Sequence, residues 1–471
     1  MLFSGFTEEA RGVAGRTSIT IGARGHGQRS FQIEFLQQTM FGRSELRSWD
    51  RLSLSQRWPK ILFVILAFLS TLAKVWLAGQ GHNIDVESWW LLAETVLQGE
   101  NVYADTSRNN WGPVWCYLCA GTRLAQTHLL GSDALEDFHR LIALLLSLTD
   151  VAIAFLLARH HSYLVGALFL INPVSLLVTG FHSHFENIAV LLGLVACLLL
   201  DTEDETQPVR FGLAMVILGI SLVVKHVLIF LPLWFFFRPK LSRLRRLFSL
   251  IPFGVFAISF LPFIHDERAL EGIIEHVLMY DSVHLDGFFP YLIHAAIPLK
   301  AVEQLFSWVP VFSGIQFVWL VAMMMTGFAV RKRDPQEQLF VYLVAMVVFS
   351  SAIANQYLAI PLLTCAVYWR HFSTWWYVGM ATLYLTASPV NVGMLPAMAP
   401  YAQLVIELGL DRWHSITALF FFLLLYWVGH RWRTTRVTLP RWLFPVADSE
   451  PRLSTTPSDV RDVGAPIGKL G

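Results

Sequence analysis

Long uninterrupted apolar runs constrain this chain more than any other feature. Residues 61–77, 141–157 and 311–330 are almost free of charge. Runs of this length match the ~30 Å hydrocarbon thickness of a bilayer at 1.5 Å rise per residue. Composition agrees: 55% of residues are hydrophobic and 15% charged, against about 25% charged in a soluble domain. The fold class expected is an all-α polytopic transmembrane bundle. A net charge of +1 offers no argument for a nucleic-acid partner. The first 60 residues carry nine Lys or Arg ahead of the first apolar run, which reads as a cytoplasmic extension rather than a cleaved leader.

Basic clusters at 1–60, 238–246, 331–333 and beyond 431 set the expected orientation, because Lys and Arg near short loops favour the cytoplasmic side. Keeping all four inside gives about 12 spans: 61–79, 141–158, 162–180, 187–200, 211–224, 227–237, 247–264, 311–330, 338–353, 356–369, 374–390 and 414–429. The pair 211–224 and 227–237 is too short for full crossings and reads as two half-helices meeting at Lys225-His226, since broken helices are tolerated where they line a cavity. The organisation that follows is an extension over 1–60 and a catalytic-type transmembrane module over 61–265 with an external loop at 80–140. A variable module over 266–430 with an external loop at 266–309 comes next, then a cytoplasmic tail over 431–471. Trp89, Leu92 and Val96 place a short amphipathic helix in the first loop, closed by Gly99. Residues 113–130, apolar but interrupted by Arg123, are expected in the membrane interface. Cys116 and Cys119 form a lone CxxC in an apolar stretch, which reads as packing.

Four features carry charge to membrane depth or to its surface, where it is costly. Asp85-Val-Glu87 puts two carboxylates just past the first span. One is suited to act as a general base toward a hydroxyl, although acids also simply begin solvated helices. A D-x-E pair tolerates a divalent cation without requiring one. Phe181-His-Ser-His-Phe-Glu-Asn187 packs His182, His184 and Glu186 into one tight turn after Asn172-Pro173. Such a turn suits a sugar or a phosphate, and its spacing matches no standard metal motif, so no metal ligands are assigned. Lys225, with His226, is placed to neutralise a phosphate leaving group, or else to snorkel to the interface. Asp150, inside a span, either pairs with Lys74 or serves a proton path, the latter pointing to a transporter or lipid flippase as the alternative reading.

In this order, the features resemble the C-type (GT-C) polyprenyl-phosphate-sugar-dependent glycosyltransferases. The nearest likeness is to the dolichyl-phosphate-glucose glucosyltransferases of asparagine-linked oligosaccharide assembly and to related bacterial hexosyltransferases. Asp85-Val-Glu87 with Trp89 and Trp90 looks like the family's acidic pair, and Tyr103 with Asn110-Trp111-Gly112-Pro113 like the distal part of that loop. Asn172-Pro173 with His184-Phe185-Glu186-Asn187 is similar to its Asn-Pro and His-Phe-x-x-Asn element. Lys225-His226 followed by Pro232 looks like its Lys-x…Pro helix pair. The likeness covers about residues 60–240.

The resemblance implies an inverting transfer of glucose or mannose from a polyprenyl- or dolichyl-phosphate donor to a glycan or glycolipid acceptor, with no certain cofactor. It makes Asp85 the base and has Glu87 position the acceptor or the base, gives His184, Glu186, Lys225 and His226 to the donor's phosphate and sugar, and gives Trp89, Tyr103 and Trp111 to the acceptor. Its setting would be a bacterial cytoplasmic or endoplasmic reticulum membrane. Glu186 stands where the family has Gln, and the stretch after residue 262 lacks the Arg-rich, Phe-Pro segment of the eukaryotic enzymes, which favours the bacterial-type relatives.

Overall fold

The computed structural model describes residues 54–183, 185–200, 208–239, 241–278, 314–350, 354–387 and 395–408, with isolated positions over 418–426. Side chains are described from Trp58 onward, and from residue 319 in the segment that begins at 314. Among these residues the regular structure is entirely helical. The chain divides into two compact units, Met1–Ile65 and Leu66–Gly471. Of the first, only the opening of one helix is described.

Among the described residues two helices are long and apolar enough to cross a membrane. Helix α1 covers Leu54–Ala78 and α4 covers Leu135–His160. Between them lie α2 (Ile84–Leu97) and α3 (Pro113–Ala125). The α4 sequence suits its dipole, with Glu136 and Asp137 in the first turn and Arg159 and His160 in the last. Phe68, Leu69, Leu72 and Trp76 of α1 are exposed, which marks an outer face fit for lipid contact. Lys74, on its other face, is buried.

The expectation of about 12 full spans is not supported. By length and composition the described residues contain two candidate spans, or three if the bent pair Tyr163–Leu170 and Pro173–His182 is one. The physical reason is punctuation. In α5 (Tyr163–Leu170) and α6 (Pro173–Leu177) the run breaks at Asn172, whose side chain accepts the Val174 N–H while Pro173 takes the first helical position. The chain bends by 46° there. Other apolar stretches form helices of 17 residues or fewer, such as α7 (Glu186–Leu200) and α8 (Pro208–Val224). Of the expected spans, 388–390 and most of 414–429 lie outside the described residues, as does 279–309 of the expected external loop.

Helix α8 ends at Val224. Lys225 is extended (φ −154°), a single tight turn follows at His226–Leu228, and α9 (Leu231–Phe236) resumes. The backbone groups freed by this break find a buried partner. The Tyr342 hydroxyl donates to the Val227 carbonyl at 2.9 Å and accepts the Phe230 N–H at 3.2 Å. A break satisfied from a neighbouring helix is what an apolar environment demands. Ser221 ties α8 to α7 by donating to the Ala189 carbonyl at 2.9 Å.

Asp150, buried in the middle of α4, anchors the adjoining helices. Lys74 donates to Oδ2 at 2.5 Å, Thr179 at 2.9 Å and Ser175 at 3.3 Å, and Asn187 donates to Oδ1 at 2.6 Å. Four elements therefore meet on one carboxylate. The pairing expectation for Asp150 and Lys74 is met in the geometry.

Candidate functional site

The site begins with a helix cap. Asn83 precedes α2 in extended conformation, and its side-chain oxygen accepts the Val86 N–H at 3.3 Å. Its amide nitrogen reaches two further groups, Asp85 Oδ2 at 3.3 Å and the Nδ1 of His182. The cap thus fastens the first turn of α2 to the π-helical turn Val178–His182 that follows α6. Thr179 of that turn holds Asp150, and Gly180 lies so close to α1 that an added Cβ would sit 3.1 Å from the Lys74 Cα and carbonyl.

After this turn Ser183, buried, takes a left-handed backbone (φ 55°), a conformation uncommon outside glycine and often found beside functional groups. His184 lies outside the described residues. Phe185 and Glu186 follow, both buried. Phe185 stacks on Trp115 at 4.1 Å between centroids, and Trp89 meets Phe185, Trp111 and Trp115 edge-on at 5.9, 6.2 and 5.2 Å. Edge-to-face packing of this kind forms a rigid aromatic floor.

Lys225 enters from the break after α8. Its ammonium lies 5.5 Å from the Phe185 ring and 5.8 Å from the Trp111 ring, within cation–π range. One glycine makes this approach feasible. A Cβ on Gly112 would stand 1.7 Å from the Val223 carbonyl oxygen, so only glycine lets the Trp111 loop lie against the end of α8.

Charge completes the arrangement. Lys225 is within electrostatic reach of both Asp85 and Glu186, and His226 of Lys225 and Glu186. The Asp85 carboxyl is held up at about 6 from an ordinary 3.8. Burial is the main cause and the Glu186 charge the second, while Lys225 and the Asn83 hydrogen bond oppose them. A carboxyl that titrates near neutrality within the field of Lys225 is chemically suited to accept a proton.

The expected residues do not all converge. Asp85, Glu186, Lys225, Trp89 and Trp111 gather in one place, with His226 at its margin, its ring 6.3 Å from Phe256. Glu87 does not join Asp85. Two residues apart on a helix face different ways, and Glu87 is half-exposed beside His82 (3.6 Å) and Arg108 (3.9 Å). The D-x-E pair is therefore not a double-carboxylate site. Tyr103 is a strut rather than part of an open surface. Its hydroxyl donates to the Trp111 carbonyl at 2.8 Å, and its ring is buried against Phe260 and Phe263.

Sequence reasoning passed over Asn83 and Trp115. Asn83 is readable as an Asn directly before an acidic first turn; Trp115 carries no local signal. Among the described residues no group of three His, Cys, Asp or Glu converges to hold a metal ion. Asp85 and Glu186 are the two carboxylates a divalent cation would meet here, and Lys225 stands in the same neighbourhood. No family model matches the chain, and no curated protein and no solved structure matches it.

Proposed function

We propose that this chain is a multi-pass membrane glycosyltransferase of GT-C type. It moves glucose or mannose from a polyprenyl- or dolichyl-phosphate donor to a glycan or glycolipid acceptor at the non-cytoplasmic face of a bacterial cytoplasmic or endoplasmic reticulum membrane. The observation that carries the reading is the meeting of Asp85, Glu186 and Lys225 over an aromatic floor next to apolar helices. In the reaction Asp85 takes the proton of the acceptor hydroxyl as its oxygen attacks the anomeric carbon. The bond from that carbon to the phosphate oxygen breaks on the opposite side, inverting the centre. The departing lipid phosphate carries the negative charge, and Lys225 offsets it. Trp89 and Trp111, 2% and 5% exposed, underlie the site as its floor, and the exposed apolar surface of α1 offers a path for the lipid tail.

The test is incubation of the purified protein with defined polyprenyl-phosphate glucose and mannose plus a lipid-linked glycan, following release of free lipid phosphate. Asp85→Asn should reduce release by 10² or more; full activity in that variant would remove Asp85 from the mechanism. A transporter would need Asp150 accessible to its substrate, and both of its oxygens are engaged by Lys74, Ser175, Thr179 and Asn187.

A further inference from the structure

A cavity opens at the other end of α4. His139, near the start of that helix, lies beside Ala78, Gly81 and Phe181, on the side of the candidate site. From His139 to His160 the helix rises about 32 Å, the thickness of a hydrocarbon core. At His160 a cavity of about 560 Å³ opens, lined by His160, His161, Ser162, Tyr368, Arg370 and His371 among others. That volume is in the range that takes small ligands. None of its lining residues is acidic. Glu337 is near Tyr368, and Arg333 is near the same ring with the opposite charge. His160, His161, Ser162 and Arg370 are exposed, so the polar wall is open to a ligand.

Trp369 lines this cavity and also a second, of about 130 Å³, whose other walls include Leu168, Ile171, Cys365, Trp375 and Val378. Ile171 and Trp375 are 45% and 41% exposed, so the apolar slot reaches the outer surface of the helices rather than a sealed interior. A hydrogen-bonding pocket carrying the Arg370 guanidinium and an apolar slot thus share one tryptophan wall. The complement of that surface is an amphiphile with an anionic head and a hydrocarbon chain. Three imidazoles line the larger cavity, yet no three ligand-type side chains converge for a metal ion among the described residues.

We propose that these two cavities form a binding site for an anionic membrane phospholipid, distinct from the candidate transfer site. Arg370, the imidazoles of His160, His161 and His371, Ser162 and Tyr368 receive the phosphate headgroup. Arginine suits this task because its fork donates two parallel hydrogen bonds to phosphate. The slot behind Trp369 takes the proximal part of an acyl chain. The site places a specific lipid at the membrane face opposite Asp85, and it does not depend on whether the chain transfers sugar.

Native mass spectrometry of the full chain in neutral detergent tests this, with dioctanoyl phosphatidylglycerol as probe and dioctanoyl phosphatidylcholine and inorganic phosphate as comparators. Saturable binding of phosphatidylglycerol, at least about tenfold tighter than either comparator, is expected. Arg370→Gln and His160→Glu should each weaken it by about tenfold or more. Both side chains are exposed, so matched melting curves are expected, and either variant suffices if the other unfolds. Val378→Trp, which fills the slot, should weaken phosphatidylglycerol without affecting phosphate. Equal binding of the two lipids, or no change in Arg370→Gln and His160→Glu, overturns the proposal. Phosphate binding as tightly as the lipid overturns it too, leaving a free-anion pocket.

Discussion

Replacing Asp85 by Asn should make the protein more stable at neutral pH, and the gain can be worked from the site. Burial first, and then the neighbouring Glu186 charge, hold the Asp85 carboxyl at about 6 in the folded chain, against 3.8 without those surroundings. A difference of that size corresponds to ~3 kcal/mol of ionisation cost carried by the native state. Below pH 3.8 the carboxyl is protonated in both states and the cost vanishes. It grows as pH rises toward 6 and is fully present above it. Asn has no proton to lose and avoids the cost while keeping a similar shape. Melting curves in detergent should therefore show the variant ahead of wild type by a few degrees at pH 7.5, with the lead shrinking toward pH 4. The same carboxyl must be ionised to act as a base, so wild-type kcat/KM should rise through about pH 6. A wild-type-to-variant difference in melting temperature that is flat between pH 4 and 7.5 would refute the electrostatic account of this site, whatever the activity.

Lys225→Ala should raise the donor KM and slow release of the lipid phosphate, together by about 10–100-fold in kcat/KM; steady-state kinetics with a polyprenyl-phosphate hexose reads this, and unchanged constants would detach Lys225 from the phosphate. Gly112→Ala should fail to accumulate as a folded monodisperse species on size exclusion, because its Cβ would overlap the Val223 carbonyl. Asp150→Ala leaves the buried Lys74 ammonium without its counter-charge and should cost about 3–5 kcal/mol, seen as a lower melting temperature and poor yield. Asp150→Asn, which keeps partial hydrogen bonding, should fall between the two, and an Asp150→Ala protein of normal stability would mean that the network is dispensable.

The two long apolar helices α1 and α4 were legible because uninterrupted apolar runs and flanking charges are local signals. The interruption at Lys225-His226 was legible for the same reason, since a cation between two short apolar pieces is a local anomaly. Span count was not. Hydropathy averages over a window and is blind to an Asn-Pro cap that bends the chain by 46° within an apolar run. The two carboxylates of the D-x-E motif read as a unit on paper, whereas helix geometry turns Glu87 away toward His82 and Arg108. Phe185 becomes part of the floor only because Ser183 adopts a left-handed turn and Trp115 arrives from another helix. Tyr103 reads as a surface aromatic, but an added Cβ on Gly272 would stand 2.1 Å from its carbonyl oxygen, a long-range approach that buries it.

Two carboxylates of this bundle, Asp150 and Asp85, are treated in opposite ways, and the contrast explains how the site is held. Asp150 is saturated by a cation and three hydrogen-bond donors, so its charge is compensated and its role is to fix helices. Asp85 is left with Asn83 as its hydrogen-bond donor, Glu186 as a repelling neighbour and Lys225 at a distance, so its charge remains costly and available. The first arrangement supports the second. Thr179 and Asn187 bracket the turn that carries His182 to Asn83 and Phe185 beneath Lys225, and both donate to Asp150. Tension between charges at the site persists because a satisfied network one turn away keeps the backbone from relaxing it.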